Sequence, residues 1–297
     1  MELDSQLNNP IPAPLAPIPM LVEDFLNTMP LSYQERFTET DARTHAAILA
    51  RRFDALVHIE CCRAEEVGTY WLCVVTNERP GLLRLVAATV TAHNLNVAEA
   101  ITFCRASGTQ RPEAVYFFRV GPLSGESGPP SEALIASLRS TMTDVLRGRQ
   151  DVNLLYRRSS PTWRPQPHTE TTAHFEGDLN GADRLIVEGH DDRGLLASIA
   201  AVVFRAGAYV VWSKVTTSHG RARDEFHLVA PDGSRLSDAC KEQLISELSN
   251  STRGRSLPAE AIPQPEPSQV DTDRLSQLSM AEPPPAMPQR RFSKPPR

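Results

Sequence analysis

The sequence predicts an α/β (α+β) protein built from two tandem βαββαβ units, and three observations carry that expectation. The first is an internal repeat: Arg79-Pro80-Gly81-Leu82-Leu83 returns as Asp192-Arg193-Gly194-Leu195-Leu196, an offset of 113 from Gly81 to Gly194. At that single offset the stripe Leu82, Leu83, Val86, Ala87 and Val90 falls on Leu195, Leu196, Ile199, Ala200 and Val203, so one helix face is written twice. The second is that runs suited to sheets flank both stripes, at 71–75 and 95–103 in one copy and at 185–187 and 210–216 in the other. The third is size: 297 residues with 40% apolar content supply two cores of ordinary dimensions.

In chain order, residues 1–20 read as a disordered leader, because Pro10, Pro12, Pro14, Pro17 and Pro19 each fix φ and remove a backbone donor. Residues 21–53 read as a helical preface. Leu21, Phe25 and Leu26 recur at helical spacing, Pro30 interrupts, and Thr40 or Asp41 caps a second helix carrying Ala46, Ile48 and Leu49. The first unit, residues 54–160, opens with an apolar run at 56–62 joined through a turn at Gly68 to the strand at 71–75. After the striped helix and its strand come a strand at 114–120, a helix behind Ser131 through Leu134, Ile135, Leu138, Met142 and Val145, and a closing strand on Val152, Leu154 and Tyr156. That order is ferredoxin-like.

The second unit, residues 170–250, repeats the plan with a run at 172–175, a turn at Gly181, and strands at 185–187, 210–216 and 226–229. A helix through Cys240, Leu244, Ile245 and Leu248 follows, with no closing strand after it, so an open sheet edge that favours dimerisation is expected. From 253 to 297 Pro, Ser, Gln and charge dominate and the tail reads as disordered; Arg290, Arg291 and Ser293 there read as solvated charge.

Charge and cysteines narrow the function. Thirty-six acids against 31 bases give a net charge of −5, which argues against a nucleic-acid partner, and no apolar run is long enough to span a bilayer, so a cytoplasmic protein without a membrane partner is expected. Cys61, Cys62, Cys73, Cys104 and Cys240 show no metal-ligand spacing and read as small buried hydrophobes, with Cys61 and Cys62 on opposite faces of a strand. No cofactor, metal or catalytic group is expected.

Asn77-Glu78-Arg79-Pro80-Gly81-Leu82-Leu83 followed by Asn94-Leu95-Asn96-Val97 resembles an ACT domain, whose loop typically reads Asp-Arg-Pro-Gly-Leu-Leu. The tandem arrangement with preceding hairpins is similar to the C-terminal regulatory half of bacterial PII uridylyltransferase, over roughly residues 54–250. The resemblance implies ACT units paired side by side, within one chain or as a homodimer, amino-acid binding at their interfaces with glutamine as the first candidate, a role in nitrogen metabolism, and control of a protein partner.

The residues themselves suit that chemistry. A strand turning directly into a helix presents unpaired N–H groups and the positive end of the helix dipole to a carboxylate. Pro80 suits a first helical turn, Gly81 permits close approach, and Asn96 offers donor and acceptor; with Asn77, Glu78, Arg79, Leu82 and Val97 they make one pocket edge. The second copy, with Asp191, Asp192, Arg193, Gly194, Leu195 and Tyr209, differs in charge: its aspartates repel an anion, while Arg193 offers a carboxylate partner and Tyr209 an apolar lid. Two other readings stay open. One is a protein-interaction module that binds no metabolite. The other is an enzyme related to the uridylyltransferase, for which Asp271, Asp273 and His190-Asp191 are isolated acids without a companion metal cluster.

Overall fold

The computed structural model describes residues 18–63, 70–105, 112–122, 129–152, 154–155, 171–179, 181–191 and 194–250. Residues 1–17 of the expected leader, Gly68, Tyr156, Asp192, Arg193 and everything beyond 250, with Asp271, Asp273, Arg290, Arg291 and Ser293, lie outside the described residues.

The preface forms α1 (Ile18–Thr28), α2 (Leu31–Arg36) and α3 (Glu39–Arg52). Pro30, fixed at φ −64°, separates the first two. The cap of α3 is Thr38 rather than Thr40 or Asp41. Its hydroxyl accepts from Asp41 N–H while Asp41 accepts from the Thr38 N–H at 2.9 Å, a reciprocal capping box in which Asp41 is the third helical residue.

Each unit then folds as ββαββα. The first comprises β1 (Val57–Arg63), β2 (Tyr70–Asn77), α4 (Leu82–Ala92), β3 (Leu95–Arg105), β4 (Glu113–Pro122) and α5 (Glu132–Leu146). The second comprises β5 (Thr172–Leu179), β6 (Ala182–His190), α6 (Leu195–Arg205), β7 (Tyr209–Ser218), β8 (Arg221–Val229) and α7 (Asp238–Asn250). All eight strands join one antiparallel sheet in the order β1-β2-β4-β3-β7-β8-β6-β5.

This order corrects two expectations about closing strands. Val152, Leu154 and Leu155 are helical: Leu155 N–H donates to Asp151 O at 3.0 Å, and the buried pair Val152 and Leu155 is spaced by three, the period of a helix and not of a strand. The place beside β2 that a closing strand would take is already held by β1, seven residues in register from Val57↔Thr76 to Arg63↔Tyr70. By the same arrangement β5 pairs with β6 and closes the edge expected to be open in the second unit. The ferredoxin-like sheet is therefore retained, with its edge strand entering from the front of each unit.

Two cores result. On one sheet face α4, α5, α6 and α7 cover Leu72, Val74, Tyr116, Phe118, Leu185, Val187, Phe226 and Leu228 in one continuous cluster spanning both units. On the opposite face the preface buries Phe25, Tyr33, Phe37, Ile48 and Leu49 against Trp71, Cys73, Val75, Ile101, Phe103, Val115 and Phe117. Cys61 faces the first cluster and Cys62 the second, and burial pushes their thiols up to about 12 and about 11, which leaves both unreactive. The matching face of the second unit carries ion pairs instead, Arg184 with Glu225 and Glu176, and Arg223 with Glu188.

Candidate functional site

The two units meet where β3 pairs with β7, from Glu99↔Thr216 to Thr102↔Ser213. There the buried hydroxyls of Thr102 and Ser213 lie 3.0 Å apart. On the helix face α4 packs against α6. This pseudo-twofold pairing exchanges neighbours between the copies and makes two clefts.

Cleft A holds the first loop. Glu78, Arg79, Gly81 and Leu82 face Val203 and Phe204 of α6 and Tyr209 and Val210 at the start of β7. Cleft B holds the second loop: Asp191, Gly194 and Leu195 face Ala87 and Thr91 of α4 and Leu95 and Val97 at the start of β3. The sequence grouped the first loop with Asn96 and Val97 on one edge; the structure separates them. Leu95 and Val97, which flank Asn96, line the cleft of the other copy's loop, and Tyr209, the repeat position of Asn96, lines cleft A. A sequence reads each repeat by itself, whereas the antiparallel β3–β7 seam swaps the strand starts between them. The Asn96 side chain lies outside the described residues.

In cleft A, Gly81 is the N-cap of α4 at φ +69°, a left-handed conformation that favours glycine, and Pro80 precedes the cap instead of opening the helix. Close approach is made by Phe204 of the other unit: a Cβ on Gly81 would stand 2.6 Å from its Cδ2. Arg84 lies over the outer face of the same ring, 5.0 Å from its centroid. Gly81→Ala is expected to cost about 2–3 kcal/mol, from left-handed strain plus this clash. In a Phe204→Ala background, Gly81→Ala should cost only the strain, about 1–2 kcal/mol. A thermodynamic cycle by urea unfolding checks the coupling, and simple additivity would show that the ring does not set the approach.

Glu78 is held by the Arg79 N–H at 3.0 Å and by the Tyr116 hydroxyl, which donates across 3.5 Å; burial still raises its carboxyl to about 7. Tyr209 is pushed up to about 12 by burial and by Glu78. Arg79 donates to Leu146 O at 2.6 Å, anchoring the loop to α5. Asn77 faces away from the cleft's chemistry, its amide oxygen accepting from Arg52 of α3 at 2.6 Å.

In cleft B, α6 begins at Gly194, φ +83°, without a side-chain cap or an acidic residue in its first turn. Its cavity is about 30 Å³, room for a water-sized occupant. One lining residue escaped the sequence reading. Asp224 on β8 is fully buried and neither carboxylate oxygen makes a well-formed hydrogen bond among the described residues; burial, then Asp191, raise its carboxyl to about 8 against a weaker opposing pull from the Thr216 backbone N–H. The signal was present: Ala222, Asp224, Phe226 and Leu228 share one period-2 face, and an acid in that apolar series is out of place. Among the described residues no group of three or more His, Cys, Asp or Glu is placed to hold a metal ion, and no helix is long and apolar enough to cross a membrane.

The chain is similar to bifunctional uridylyltransferase/uridylyl-removing enzymes. It is 27% identical over 234 residues to the one from Phenylobacterium zucineum, matching 78% of this chain and 24% of the relative. It is 28% identical over 209 residues to the one from Mycobacterium tuberculosis, matching 65% of this chain and again 24% of the relative. The chain thus spans about a quarter of the length of the curated relatives it matches. No family model matches it.

Proposed function

We propose that this chain is a non-catalytic regulatory protein of nitrogen metabolism that binds a small amino acid between its two ACT-like units and signals occupancy to a partner protein in the cytoplasm. The observation that carries this reading is the exchange of loops across the β3–β7 seam. Neither helix start has a side-chain cap among the described residues, and each faces the other unit, so a ligand at either cleft touches both. A carboxylate suits those helix starts, and polar groups on the facing strands suit an ammonium group. Glutamine is the first candidate, from the sequence resemblance. The ligand acts by population shift: it favours whichever arrangement of α4 against α6 it binds more tightly, and only by that difference in affinity.

The test is a thermal-shift screen of the full chain against the twenty amino acids. A ligand present at 100 times its Kd adds about 2.7 kcal/mol to the folded state, so one or a few amino acids should raise the unfolding temperature selectively. If none does so at millimolar concentration, the chain is not an amino-acid sensor and the interaction-module reading takes its place.

A further inference from the structure

The two clefts are built alike and finished differently. Strand register makes Asp224 the counterpart of Tyr116, since Tyr116 pairs with Val74 and Asp224 with Val187, the repeat position of Val74. Asp191 is likewise the repeat position of Glu78. Cleft A therefore joins a carboxylate to a phenol that donates to it, and is internally satisfied. Cleft B sets a second carboxylate where the phenol stands. No side-chain donor among the described residues meets Asp224, which the Thr216 backbone N–H approaches without making a well-formed bond, and one residue pair along the same sheet face the Thr217 hydroxyl is also buried without a partner.

We propose that cleft B is the site that reads the amino acid, with Asp224 and Asp191 receiving the ammonium group and the N-terminus of α6 at Gly194 receiving the carboxylate. This rests on the sensor reading above and assigns its chemistry. A buried carboxylate without a side-chain donor, with the half-buried Asp191 beside it, favours a cation, while the adjacent helix start favours an anion. A zwitterion meets both demands at once; a bare metal ion meets only the first and finds two acids where a hard cation takes six or more oxygens. The raised carboxyl of Asp224 agrees with a group that holds a proton until an ammonium arrives and then releases it to solvent. Cleft A, satisfied by Tyr116, serves as the structural half of the pair.

The experiment is calorimetry on the full chain with the amino acid that stabilises it most, for wild type, Asp224→Asn, Asp191→Asn and Tyr116→Phe. The deaminated acid that keeps the same carboxylate and side chain is titrated beside it. Asp224→Asn should bind the amino acid about tenfold to a hundredfold more weakly, the loss of a charge-assisted contact, and Asp191→Asn should weaken it in the same direction. Tyr116→Phe should bind within about twofold of wild type, and the deaminated acid should bind wild type as poorly as the amino acid binds Asp224→Asn. Without ligand, Asp224→Asn should unfold at a higher temperature than wild type, because it removes a buried unpartnered acid. Unchanged affinity in folded Asp224→Asn and Asp191→Asn overturns the assignment while leaving the sensor reading intact. Absence of binding by any amino acid to wild type overturns both.

Discussion

Phe117→Ala is expected to destabilise the protein by about 3–5 kcal/mol, the cost of deleting a fully buried ring where neighbours cannot close the gap. Phe117 is fully buried, with the rings of His45 at 4.3 Å and Phe37 at 4.8 Å, and those of Tyr33 and Phe103 both at 6.1 Å. The helices α1–α3 hold to the sheet chiefly through this cluster, so the loss falls on their docking. Trp71, 6% exposed beneath the same helices, should report it by a red-shifted emission at denaturant concentrations where the wild type stays blue.

A second readout separates a wetted cavity from a repacked one. His45 accepts or donates a 2.7 Å bond with the Tyr33 hydroxyl, and burial lowers its imidazole to about 4. A depressed histidine destabilises the folded state as pH falls: the wild type is unaffected above about 6.5 and loses stability from there down to about 4, by about 3 kcal/mol. Water reaching His45 in Phe117→Ala returns that pKa toward its ordinary value and flattens this part of the pH profile. A profile parallel to the wild type's would mean that the neighbours had repacked and kept His45 dry.

Most of the architecture was legible because it is carried by short-range periodicity. The doubled stripe on α4 and α6 marked both helices, and runs of sheet-favouring residues marked β2, β3, β7 and β8. Val152 and Leu154 misled for the same reason: two apolar residues spaced by two fit a strand, and only the occupancy of that sheet position by β1 excludes it, a fact about pairing at long range. The site was less legible. Gly81 and Gly194 announce two helix starts, but which strand faces each depends on the β3–β7 seam. Asp224 belongs to neither motif; its meaning comes from the lack of a side-chain donor around it among the described residues. Asn77 shows the converse, a residue of the loop motif whose side chain is taken up by the scaffold.

The scaffold role of Asn77 depends on Arg52. Arg52, 8% exposed at the end of α3, donates through Nη2 to Asn77 Oδ1, through Nη1 to Glu113, and through Nε to Ala55 O at 3.0 Å. Glu113 also accepts from Arg105 at 3.0 Å, and Arg105 reaches the Thr28 hydroxyl of α1 at 2.8 Å. One guanidinium thus ties the preface to β2 and β4 at the residue preceding the cleft A loop. Arg52→Ala should cost about 3 kcal/mol: it strips a buried pair of one cation and leaves the Asn77 oxygen without its donor, while Arg105 limits the damage to Glu113. Arg52→Lys should recover little of this, because a single ammonium cannot serve both acceptors in the plane of the fork. Asn77→Ala should lose less than Arg52→Ala, as it keeps the ion pair. If Asn77 is scaffold, folded samples of all three variants bind the amino acid within about threefold of wild type, a difference below 1 kcal/mol. A stable Asn77→Ala protein that has lost its ligand would instead return Asn77 to the binding site and move the sensing chemistry to cleft A.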